Sequence, residues 1–94
     1  MLYIVTLSYV RPIEEVNLHL ESHKQWLGKH VKAGSILAAG PLEDRSGGVV
    51  LVHCKDRDEL DSLLAQDSFV IERLVAVSVQ GFDPVLRAES FAVR

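Results

Sequence analysis

The spacing of apolar residues changes several times along the chain, and each change marks an element. In "LYIVTLSY", residues 2 to 9, β-branched and aromatic residues crowd together until Arg11 and Pro12 close the run, which predicts a strand. From Ile13 to Ala33 the period becomes helical. At about 100° per residue, Val16, Leu20, His23, Leu27 and Val31 fall into one stripe, with His23 near its middle. Pro12 and the acids Glu14 and Glu15 suit a first helical turn, and Gly34 suits a left-handed C-terminal cap.

"SILAAG", residues 35 to 40, reads as a second strand ended by Pro41, and "PLEDRSGG" as a loop of turn formers and charges. "VVLVHC", residues 49 to 54, is a third strand. Asp56 and Glu59 have capping-box spacing ahead of "LDSLLA", so a second helix is expected over residues 57 to 66. "DSFVIERL" carries mixed signals. "VAVSVQGF", residues 75 to 82, is the fourth strand, and the weakly patterned tail from Asp83 is expected to be mobile.

The order strand, helix, strand, strand, helix, strand is the split βαβ arrangement. It predicts an α+β, ferredoxin-like βαββαβ domain with an antiparallel four-stranded sheet and both helices on one face. The other face then needs an explanation. Leu2 and Ile4 point to one side of the first strand, Tyr3, Val5 and Leu7 to the other, and Val49 and Leu51 oppose Val50 and Val52. Both sides are apolar, so a homodimer packed sheet face to sheet face is the expected way to cover the second one.

Composition narrows the partners. Ninety-four residues, 48% hydrophobic, suffice for one small core: a domain over residues 1 to 84 and a tail over 85 to 94, mobile or docked on the partner. A net charge of −3, with scattered Lys and Arg, argues against nucleic acid. No apolar run approaches the roughly 20 residues of a membrane span, and "MLYIVTLSYV" lacks the basic flank of a signal peptide. A cytoplasmic setting is expected. The single cysteine, Cys54, agrees with a reducing compartment and reads as a small apolar strand residue.

His19 and His23 stand at i and i+4 in "HLESH", a spacing that can chelate zinc. Leu20 occupies the place the metalloprotease acid would need, and no third ligand is in sight, so no metal site is expected. His23 alone is either a satisfied, half-buried histidine or a proton-transfer group, and the second role needs a carboxylate to orient the ring. Asp67, directly after the second helix, is a candidate, since helices side by side can bring the end of one near the middle of the other. His30 and His53 lack comparable support.

The layout "MLYIVTLSYVRP", "SHKQWL", "AGSILAAGPL", "RSGGVVLV" and "AQDSFVIERLVAVSVQGFDP" resembles the YciI-like (YCII-related) family from residue 1 to about 84. The family's marks fall on His23, on Ala39, Gly40 and Pro41, and on Asp67, Ser68 and Phe69. The resemblance implies a dimeric α+β barrel with a His–Asp pair in a pocket, His23 the acid or base and Asp67 its orienter. Gly40, Pro41 and Phe69 are the expected pocket lining. Ser68 departs from the family's proline, which would have fixed φ and stiffened the turn holding Asp67. Ser8, Arg11 and Arg45 are candidate anion-binding groups, but ordinary surface placement is the expectation for each.

Such a pair suits proton abstraction, elimination (a dehydrochlorinase or other lyase) or isomerisation on a small cyclic or carbonyl compound, with no cofactor expected. The alternative is a noncatalytic dimer that binds a small metabolite or serves as an accessory protein.

Overall fold

The computed structural model describes residues 1–89 and 91. The chain runs β1 (Leu2–Tyr9), α1 (Ile13–Leu18), α2 (Leu20–Ala33), β2 (Ile36–Pro41), β3 (Gly47–His53), α3 (Arg57–Leu64), α4 (Ser68–Ile71) and β4 (Val75–Phe82). The four strands form one sheet in the order β2-β3-β1-β4, with every neighbouring pair antiparallel. This is the ferredoxin-like order expected: β3 lies between β1 and β2, and β1 between β3 and β4.

Each element has a local cause. Pro12, at φ −55°, enters α1 and is followed by Glu14 and Glu15 in its first turn, where acids meet the positive end of the helix. Gly34 ends α2 at φ 89°, which lets the Ser35 N–H reach back to the His30 carbonyl. Asp56 caps α3 by accepting the Glu59 N–H at 3.0 Å. Pro41 closes β2, an edge strand, where a missing N–H donor is tolerated. Gly47 is obligatory: a Cβ there would overlap the Leu7 carbonyl oxygen across the β1–β3 pair.

The helix expected as one piece over 13 to 33 is two, broken at His19, whose φ of −113° and ψ of 9° leave the helical region. The break resets the helical phase, so the buried residues of α2 are His23 and Trp26. Val31, expected in the buried stripe, is half exposed. The mixed-signal segment after α3 resolves into the single turn α4, and α3 stops at Leu64, short of the expected residue 66.

Tyr3, Val5 and Leu7 of β1 and Val50 and Val52 of β3 meet Trp26 of α2 and Leu60, Leu63 and Leu64 of α3 in the main core. A smaller cluster of Val16, Phe69 and Leu74 lies beneath α1 and α4. On the opposite face Ile4 sits between Leu51 and Gln80, and Thr6 between Val49 and Ser78. Ile4, Val49 and Leu51 are half buried while Ser78 and Gln80 are exposed, so that face is apolar towards β3 and polar towards β4. Val85 and Leu86 in the tail are exposed, and residues 90 and 92–94 of the expected tail lie outside the described residues. Among the described residues no helix is long and apolar enough to cross a membrane.

Candidate active site

The site begins with a helix cap. Asp67 stands just past the C-cap of α3 and caps α4, its Oδ1 accepting the Phe69 N–H at 3.2 Å. The same oxygen lies 2.7 Å from Nδ1 of His23, contributed by α2. An oxygen already accepting from a backbone amide acts as an acceptor here too, so Nδ1 carries the proton and donates it to Asp67. Asp67 is fully buried, and its Oδ2 has no partner among the described residues. The carboxylate's hydrogen bonding is therefore concentrated on Oδ1.

Aromatic packing fixes the imidazole plane. The Phe69 ring stacks on it with centroids 3.8 Å apart and planes 4° from parallel. Trp26 lies alongside at 5.9 Å, itself anchored by an Nε1–H bond to the Leu63 carbonyl at 3.1 Å. Phe69 thus supports the pair twice, since its amide holds Asp67 and its ring holds His23. Nε2 of His23 has no hydrogen-bond partner among the described residues, and His23 lines a cavity that Asp67 does not reach.

That cavity, about 400 Å³, lies between α2 and the helix-covered face of the sheet. Leu7, Leu20, Leu27, Val50 and Phe69 give it apolar walls, and Tyr9, Lys24 and Arg45 add polar groups. A cavity of this kind, apolar with a few convergent polar groups, is the usual form of a small-molecule site.

The structure brings together most of the residues singled out in the sequence. His23 and Asp67 are in contact, and Gly40, Pro41 and Phe69 line the cavity beside them, as does Arg45, for which surface placement was the expectation. Ser8 and Arg11 do not line it. Ser8 alternates with Leu7 and so belongs to the uncovered face of the sheet. Arg11 is committed to a bidentate pair with Glu15, at 2.9 and 2.8 Å, which raises the guanidinium pKa and lowers that of the carboxyl. Sequence reading missed Tyr9, Leu20, Lys24 and Leu27 as lining residues; the i, i+4, i+7 spacing of Leu20, Lys24 and Leu27 was the available signal.

Ser68 replaces proline's stiffness with hydrogen bonds. Its hydroxyl lies 2.8 Å from the Ser22 hydroxyl, and the His19 carbonyl oxygen is 3.0 Å from the Ser22 hydroxyl and 3.3 Å from that of Ser68. Each hydroxyl has one proton, so one serine donates to the other and that one donates to the carbonyl. The first turn of α4, with Asp67 as its cap, is thereby tied to the junction of α1 and α2.

The remaining candidates lie elsewhere. Cys54 is buried in the main core, where burial pushes its thiol pKa up and keeps it an unreactive apolar residue. His30 bonds Gln66 at 3.1 Å. No group of three potential metal ligands occurs among the described residues.

Fold and site together define the class: a ferredoxin-like α+β domain with a His–Asp pair at the wall of a small apolar cavity. The YCII-related domain model matches residues 1–80, and the chain belongs to that family. Among solved structures, the fold is similar to 5-chloro-2-hydroxyhydroquinone dehydrochlorinase from Burkholderia phenoliruptrix AC1100, in complex with 2,5-dihydroxybenzoquinone. The TM-score is 0.73 at 21% identity, covering 88% of this chain and 94% of that one. No curated protein matches the chain in sequence.

Proposed function

We propose that the protein is a small-molecule enzyme that uses His23 and Asp67 for acid–base chemistry, of the lyase, isomerase or dehydrochlorinase type. The observation that carries this reading is the 2.7 Å contact between Nδ1 and Oδ1, with His23 on the cavity wall and Asp67 sealed behind it. Nε2 takes a proton from a hydroxyl or from a carbon beside a carbonyl. The electron pair left behind expels a leaving group or shifts a double bond, and the imidazolium is stabilised by the Asp67 carboxylate until it returns the proton. The fold shared with a dehydrochlorinase is compatible with such an elimination, although one fold hosts many reactions.

The functional unit of this proposal is a homodimer joined through the uncovered sheet face, supported by the half-buried Ile4, Val49 and Leu51 on that face. Sedimentation should then give twice the 10.4 kDa chain mass. A buried lone cysteine suits a cytoplasmic setting.

The test is turnover of halogenated hydroquinones, read as chloride release, by the wild type and His23→Asn. The variant should stay folded and lose at least about 100-fold in rate. Equal rates would contradict the proposal. Ligand binding by the wild type without turnover would support a noncatalytic metabolite-binding module instead.

A further inference from the structure

The charged residues on the cavity wall are all basic. Lys24 enters from α2 and Arg45 from the β2–β3 turn, and Asp67, the nearest acid to His23, is fully buried behind the ring. This local excess stands in a chain whose net charge is −3, so it runs against the average composition. Neither cation has a carboxylate within ion-pair distance among the described residues, whereas Arg11 and Arg57 are paired with Glu15 and Asp61. Asp44, next in sequence to Arg45, is occupied by the Ser46 hydroxyl and amide at 2.6 and 3.0 Å.

Two unpaired cations beside low-dielectric walls focus a positive field into the space between them. Arg45 is also held at φ 64°, outside the region most side chains prefer, in a turn closed by its own N–H to the Leu42 carbonyl at 2.9 Å. Apolar walls from Leu20, Leu27 and Phe69 suit the faces of a ring.

We infer that the cavity selects an anionic, ring-shaped small molecule, with Lys24 and Arg45 holding its charged oxygens while the ring lies against the apolar wall beside His23. This rests on the reading of the cavity as a ligand site and names the substrate class for it. Arg45 and Lys24 are specificity-determining residues; they take no part in proton transfer.

Calorimetric titration with two matched pairs tests the inference: benzoate against benzamide, and ionised 2,5-dihydroxybenzoquinone against its neutral dimethyl ether. The wild type should bind each anion about tenfold or more tightly than its neutral counterpart, with a preference that shrinks as salt is raised. Lys24→Met and Arg45→Gln should each weaken anion binding roughly threefold to fivefold, and the double variant should lose the preference. Binding of the neutral compounds should not change, which shows that the variants are folded. Equal binding of ion and neutral compound by the wild type, or a preference that survives the double variant, would overturn the inference and leave the ligand site standing. Binding of none of the four compounds would overturn both.

Discussion

The main core and the small cluster under α4 are built on different terms. The main core joins buried residues from β1, β2, β3, α2 and α3, so each side chain there supports a fold that many others also support. The small cluster has three buried residues, Val16, Phe69 and Leu74, yet Phe69 carries the imidazole on its face and Asp67 on its amide. The first region sets whether the chain folds; the second sets where two side chains meet. A substitution of equal size should therefore cost mainly stability in one and mainly alignment in the other.

The largest expected loss of stability is from Leu60→Ala, which removes a fully buried side chain from the main core. It should cost about 2–5 kcal/mol in urea denaturation while the folded fraction keeps its activity. If activity per folded molecule fell as well, the division between the regions would fail. Phe69→Leu should cost only about 1–2 kcal/mol, because volume is nearly kept and the stacked face is lost. Its turnover should nevertheless fall about tenfold, an effect Leu60→Ala should not show.

Ser68 sharpens the comparison further. Ser68→Ala removes the hydroxyl that ties α4 to the His19 carbonyl and should cost about 0.5–1.5 kcal/mol. Ser68→Pro should fall within about 1 kcal/mol of wild type, since the Ser68 N–H donates no hydrogen bond among the described residues and the ring restores a fixed φ at the first position of α4. A large loss on Ser68→Pro would show that the serine network, and not the turn conformation, holds Asp67.

The smallest expected effect lies at the exposed β2–β3 turn. Hydrogen bonds from the Ser46 hydroxyl and amide hold the Asp44 carboxyl below its usual pKa. Its contribution is thus present above the unfolded-state pKa and disappears as pH falls through the folded one. Asp44→Asn should flatten that small acid-side slope in a pH series of melting temperatures, by lowering the melting temperature slightly in the neutral range and leaving the acid end nearly unchanged.

These contrasts explain which features could be read from the sequence. Strand order followed from alternation and turn residues, because those signals are local. The break at His19 was not legible, since no proline or glycine marks it and the carbonyl there accepts from the Ser22–Ser68 hydroxyl pair, Ser68 being 49 residues away. His23 stood out as a histidine within an apolar stripe. Asp67 reads locally only as a cap, and its meeting with His23 depends on how the end of α3 is set against α2. Arg11 and Arg45 were equivalent as basic residues in principle, but Glu15 four positions after Arg11 already offered it a partner.

The central claim is that Asp67 holds His23 with its proton on Nδ1 and Nε2 free for the cavity. Nitrogen-15 NMR of the imidazole reads this directly in the neutral ring. The expected spectrum shows a protonated Nδ1 and an unprotonated Nε2 in the wild type, and a disturbed Nδ1 signal in Asp67→Ala. A proton found on Nε2, or ring signals indifferent to the loss of Asp67, would contradict the account.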